Sequence, residues 1–126
     1  MLAVVVAGLA AFVGAPASRA AEADLVVKIK RNVTIVDGGR TAFVELKARC
    51  PEGAEILEAF AYLVQDDSTG EFGFFRLPCD GKVHELTVAS TALEFSFQEG
   101  SARVSAYVLL TSGESISPTR LVRVSG

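Results

Sequence analysis

The chain predicts an all-β domain, an antiparallel sandwich of seven or eight short strands closed by one disulfide and preceded by an export signal. Three observations predict it. Apolar residues recur with a period of two, the strand period, in short runs divided by Gly, Pro, Asn and Asp. The cysteines are an even pair, Cys50 and Cys79, with 28 residues between them. The chain opens on an uncharged apolar stretch.

That opening stretch, residues 2–13, reads Leu-Ala-Val-Val-Val-Ala-Gly-Leu-Ala-Ala-Phe-Val. Gly14 and Pro16 follow, then Ser18-Arg19-Ala20. An apolar run of this length, a helix-breaking Pro and small residues before a cut describe a secretory signal peptide. The run falls short of the roughly 20 apolar residues of a membrane span, so no stable membrane insertion is expected once the signal is cleaved. Cleavage is expected after Ala20, with Ala23 as the second site. This divides the chain into a signal, residues 1–20, and a sandwich domain, residues 21–126. No Lys or Arg precedes the run: either the N-terminal amine supplies the positive charge there, or the true start lies upstream.

Export makes the Cys50–Cys79 bridge the expected state, because an oxidising compartment joins two cysteines of a small domain. The spacing excludes a C-x-x-C redox pair. Half of the 126 residues are apolar and 21% are charged, a balance that supports a packed core. The formal charge of −3 and pI near 5.1 argue against nucleic acid and anionic membrane as partners. The expected compartment is extracellular.

The strands follow in order. Residues 25–30 and 32–36 are rich in β-branched residues. Asp37-Gly38-Gly39-Arg40 breaks the chain with turn chemistry. Residues 41–49 alternate cleanly: Ala42, Val44, Leu46 and Ala48 form one face, and Cys50 continues it. Pro51-Glu52-Gly53 is a turn. Residues 54–59 carry fair helix propensity and leave a helical turn open there. Residues 59–65 are apolar on both faces, which fits a central strand covered on both sides or one whose second face is used. Asp66-Asp67-Ser68-Thr69-Gly70 reads as a polar hairpin loop, and 71–77 as the returning strand, ended by Pro78. Residues 83–89 alternate again, with Val83, Glu85, Thr87 and Ala89 against His84, Leu86 and Val88. Residues 101–110 place Ala102, Val104, Ala106 and Val108 on one face. Ser112-Gly113-Glu114 turns into a last strand near 119–124.

Spaced marks along residues 30–110 resemble a group of small exported actinobacterial proteins of uncharacterised function. The marks are Cys50, Gln65 ending an apolar strand, Gly70, Cys79-Asp80-Gly81-Lys82-Val83-His84, and Phe97-Gln98-Glu99-Gly100-Ser101-Ala102-Arg103-Val104. The resemblance implies an immunoglobulin-like β-sandwich behind a signal peptide, and no activity. Leu86 departs from it, standing where the group usually has Trp.

The candidate chemistry is sparse. His84 is the sole His, which excludes a His-based triad and a two-His metal site; a structural hydrogen bond to backbone near the Asp80-Gly81 turn is expected of it. Asp66, Asp67 and Glu71 lack the ligand spacing of a calcium loop. Asn32-Val33-Thr34 matches a glycosylation acceptor by chance. No catalytic residue, metal or cofactor is expected, and the chain reads as a non-enzyme. The aromatic residues are the informative ones. Phe60 and Tyr62 share one face of their strand, Phe72 and Phe74 one face of the next, and Phe75 points opposite. Two readings follow: a core with a two-sided central strand, or an exposed patch that docks an extracellular protein or glycan. The alternative function is inhibition of a secreted hydrolase through the 66–70 loop.

Overall fold

The computed structural model describes residues 24–126; the expected signal peptide and both cleavage sites lie outside the described residues. Ten strands form, in the order β1 (Val26–Ile29), β2 (Asn32–Val36), β3 (Thr41–Arg49), β4 (Ile56–Gln65), β5 (Ser68–Thr69), β6 (Gly73–Phe74), β7 (Val83–Thr91), β8 (Gly100–Leu110), β9 (Ser115–Ile116) and β10 (Thr119–Ser125). Sheet one is β1–β3–β7, all antiparallel. Sheet two runs β10–β8–β4 and ends on the short β5 and β6, which share the outer edge of β4. The chain crosses between sheets from β3 to β4, from β6 to β7 and again from β7 to β8. This Greek-key path, with three strands facing three or four, is the immunoglobulin-like sandwich.

Strand β2 joins the two sheets. Its C-terminal half pairs with β3 through Thr34↔Phe43 to Val36↔Thr41, and its N-terminal half pairs with β10 through Asn32↔Arg123 to Thr34↔Ser125. The second pairing is parallel, so the architecture is mixed rather than wholly antiparallel.

Alternation explains the core. Ala42, Val44, Leu46 and Ala48 of β3 face inward and are buried, as are Ala59, Ala61 and Leu63 of β4 and Ala102, Val104, Ala106, Val108 and Leu110 of β8. Each Val or Leu so buried contributes about 1.5–3 kcal/mol by leaving water. Phe97, buried in the loop before β8, fills one end. Gly39 fits beneath it at φ +89°, where an added Cβ would meet the Phe97 carbonyl oxygen at 2.1 Å. Leu86, at the departure from the group pattern, packs half-buried against the core.

Three expectations need correction. Residues 56–59 are strand, not helical turn, because pairing with β8 satisfies their backbone and overrides local propensity. One residue is extra there: the register shifts between Ile56 and Glu58, a bulge at Leu57. The 66–70 loop shrinks to a two-residue turn. Ser68 and Thr69 already pair with Gln65 and Val64, and Asp66 takes φ 49° at the tip. The returning strand 71–77 is only Gly73–Phe74. Before it, Gly70 bridges to Ala92 and the Glu71 N–H donates to the Thr91 carbonyl, so the segment visits β7 and then returns to β4.

Cys50 and Cys79 are bridged. Cys50 follows β3 directly and is buried at the rim. Two backbone bonds brace the bridge, from Gly53 N–H to the Cys79 carbonyl (3.3 Å) and from Gly81 N–H to the Cys50 carbonyl (2.9 Å).

Candidate binding face

Outward side chains of sheet two follow from the same alternation. On β4 they are Glu58, Phe60, Tyr62 and Val64, since Ala59, Ala61 and Leu63 point inward. On β8 they are Ser101, Arg103, Ser105, Tyr107 and Leu109. On β10 they include Thr119, Leu121 and Arg123. The register sets them in rows: Phe74–Phe60–Tyr107, then Tyr62–Ser105–Thr119, then Thr69–Val64–Arg103–Leu121.

The aromatic residues form one cluster. Phe72 stacks on Phe60 with ring centroids 4.4 Å apart and 12° between planes, and lies 4.9 Å from Tyr62. Phe74 meets Phe60 edge-on at 6.0 Å, and Tyr107 approaches Phe60 at 5.4 Å. Offset and edge contacts of this kind add about 0.5–1.5 kcal/mol per pair beyond area burial. They hold the rings in place without hiding them: Phe72 is 52% exposed and Phe74 70%. The fully buried reading of these two residues is therefore excluded. Phe75 packs against the core from the opposite side of its segment, as expected.

Two loop glycines make the arrangement fit. A Cβ on Gly73 would meet the Ala89 carbonyl oxygen at 2.2 Å, and one on Gly70 would meet Ser90 Oγ at 1.9 Å. Ser90 is fully buried; its hydroxyl accepts from the Leu63 N–H (3.3 Å) and donates to the Glu71 carbonyl (2.9 Å). It thereby ties the segment carrying Phe72 to both sheets. Gln65 anchors the far end: its Nε2 donates to the carbonyls of Gln98 and Ser101, and its Oε1 accepts from the Gln98 N–H at 2.7 Å.

Charge divides the two faces. Every lysine, Lys28, Lys30, Lys47 and Lys82, belongs to sheet one, the turn that follows β1 or the turn leading into β7. Lys30 bonds Glu85 at 2.8 Å and sits 3.7 Å from Glu45. That hydrogen bond raises the Lys30 pKa above the usual lysine value and lowers the Glu85 pKa below the usual carboxylate range. Sheet two has arginine instead. Arg103 and Arg123 are exposed diagonal neighbours and form no ion pair among the described residues. Its carboxylates stand at the ends, Glu58 beyond Phe60 and Glu99 at the chain end, where it accepts from the Gly126 N–H at 3.3 Å.

His84 lies away from this face. Its Nε2 meets the Asp80 carboxylate at 2.9 and 3.0 Å, a side-chain partner where a backbone one was expected. The Lys82 N–H and then His84 hold the Asp80 carboxyl below its ordinary range. Among the described residues no group of three or more His, Cys, Asp or Glu is placed to hold a metal ion, and no helix is long and apolar enough to cross a membrane.

Of the four aromatic residues singled out from sequence, the structure brings all together. Tyr107, Arg103, Arg123, Val64, Leu109 and Leu121 were missed. Alternation within 101–110 already places Arg103, Tyr107 and Leu109 opposite the core set; only the pairing of β8 beside β4 shows that they extend the patch.

No protein-family model matches the chain, and no curated protein matches it. Among solved structures it is similar to the sporulation control protein Spo0M of Bacillus subtilis, with a TM-score of 0.45 and 15% identity, covering 82% of this chain and 49% of Spo0M. The chain thus spans about half the length of Spo0M. It is also similar to ACE19, the collagen-binding subdomain of the Enterococcus faecalis surface protein ACE, with a TM-score of 0.34 and 10% identity, covering 78% of this chain and 96% of that one.

Proposed function

We propose that the chain is an exported, non-enzymatic module that binds a protein through the outer face of sheet two. The carrying observation is the contrast between the two outer faces. Sheet one presents Lys28, Lys30, Lys47, Glu45 and Glu85, the make-up of a solvated surface. Sheet two presents Phe60, Tyr62, Phe72, Phe74, Tyr107, Leu121, Arg103 and Arg123. Aromatic and Arg enrichment with loss of Lys and carboxylates marks protein interfaces. The apolar N-terminal run and the disulfide support the exported location.

A protein partner is favoured over a glycan because the apolar surface extends past the rings to Val64, Leu109 and Leu121, which offer a sugar nothing to hydrogen-bond. Inhibition through the 66–70 loop loses its support, since Ser68 and Gly70 are buried, Ser68 and Thr69 are held in pairing with the preceding strand, and the tip is reduced to Asp66 and Asp67.

The test is comparative capture of exported proteins by the oxidised domain, its Phe60→Ala/Phe74→Asp variant and a sheet-one control, Lys28→Ala/Thr87→Ala. Partners should be held by the parent and the control and lost from the aromatic variant. Equal capture by all three, or binding confined to a glycan panel, overturns the reading.

A further inference from the structure

We propose that the partner on this face is a second copy of the same chain, docked face to face about a two-fold axis. The inference rests on the reading of sheet two as a protein interface and specifies its occupant.

The rows of the face run along the strands with aromatic residues in the middle two and opposite charges in the outer two. Phe74, Phe60 and Tyr107 form one central row. Tyr62 and Ser105 form the next, with the Phe72 ring against Tyr62. Outside the first row lie Glu58 and Leu109; outside the second lie Val64 and Arg103. The midline therefore falls between Phe60 and Tyr62, with an acid one and a half rows to one side and Arg103 the same distance to the other.

A two-fold axis along that midline, across the strands and in the plane of contact, reverses the row order and keeps each strand over itself. Phe60 then lies over Tyr62 of the second copy, Phe74 over Phe72, and Leu109 over Arg103. Glu58 faces Val64 and is diagonal to Arg103 of the other copy. Sheets packed face to face stand about 10 Å apart, within reach of an Arg and a Glu side chain. Because the contact is isologous, each such pair occurs twice. Arg103, without an ion pair among the described residues, gains a partner, and the exposed Phe72 and Phe74 rings are covered in the same step.

This explains the mixed character of the face. An interface for a different protein has no need to carry its own counter-charge. Here the acid and the Arg sit at matched distances from the centre, so the surface complements itself. Like charges brought together across a contact oppose it, and opposite charges fix its register.

The experiment is sedimentation equilibrium of the oxidised full domain with the variants Glu58→Arg, Arg103→Glu and the double exchange Glu58→Arg/Arg103→Glu. Both positions of change are exposed, and circular dichroism checks that each variant is folded. The parent should dimerise, each single reversal should weaken the dimer by about tenfold or more, and the double exchange should restore it to within about threefold. Phe74→Asp should leave a monomer. A parent that stays monomeric at millimolar concentration overturns the inference, and so does a double exchange no stronger than the singles. Either result leaves the aromatic face to a different protein, which the capture experiment reads separately.

Discussion

Two buried side chains show how single residues hold the aromatic face. Ser90 and Gln65 are among the few buried polar groups, and both are fully engaged. Replacing Ser90 with Ala removes the hydroxyl but leaves the Leu63 N–H and the Glu71 carbonyl without that partner. An orphaned buried group costs about 1–3 kcal/mol, so denaturant unfolding of Ser90→Ala should show a loss in that range. A loss below about half a kcal/mol would place both groups in contact with water. At the rim, Asp80 has a carboxyl held below its ordinary pKa by the Lys82 N–H and by His84. A depressed acid stabilises the fold above its unfolded value, near pH 4, and loses that contribution as pH falls through the folded value. Glu85, lowered by Lys30, acts in the same direction. Asp80→Asn should therefore narrow the difference in thermal midpoint between pH 7 and pH 3. An unchanged acid limb in that variant would assign the pH response elsewhere.

At the scale of elements, legibility followed the completeness of alternation. Strands β3, β7 and β8 were readable because one face of each is buried and the other solvated, so period and burial coincide. The short β6 was not, because Gly70 before it and Gly73 at its start allow a detour that hydrophobicity does not encode. Gly70 still bonds to β4 at Leu63 while bridging to Ala92, Glu71 bonds to β7 at Thr91, and 73–75 return to β4, a path shaped by the close approach of Gly70 to Ser90 and of Gly73 to Ala89. The face was half legible for a related reason. Phe60, Tyr62, Phe72 and Phe74 are close in sequence, whereas Tyr107, Arg103 and Leu121 join them only through strand pairing. Gly73 is where this element is most easily broken. In Gly73→Ala the added methyl collides with backbone at Ala89, which cannot swing away as a side-chain tip would. The segment should lift from β7 and take Phe72 and Phe74 with it. Hydrogen exchange should then show lost protection at the N–H of Glu71 and Phe75, with β3 and β8 protected as before. Unchanged protection at both amides would show that the edge absorbs the methyl.

On the scale of the molecule, the disulfide decides how the aromatic face is carried. Cys50 and Cys79 are 29 positions apart, and the enclosed segment contains β4, β5 and β6 with the residues between them, and so carries Phe60, Tyr62, Phe72 and Phe74. In antibody-type domains the bridge joins the two sheets near their centre. Here it joins the end of β3 to the loop entering β7, so both ends of the aromatic segment are pinned to the rim of sheet one. Closing a loop of this size in the unfolded chain is worth about 3–4 kcal/mol on the chain-entropy model. That is a large share of the roughly 5–15 kcal/mol that holds a small domain together. Sheet two also has its own attachment to the body of the fold, because β10 pairs with β2 and β2 with β3. Removal of the bridge should therefore lower global stability without erasing the sandwich. The double variant Cys50→Ala/Cys79→Ala should unfold about 3–4 kcal/mol more easily than the oxidised parent in denaturant. Its β8 and β10 amides should remain protected in native buffer, while those of the 70–81 segment exchange faster. Complete unfolding of the variant in native buffer would show that the parallel β2–β10 seam cannot hold the sheets together by itself. Intact protection throughout 70–81 would show instead that pairing with β4 and β7, rather than the bridge, sets the position of the aromatic rings.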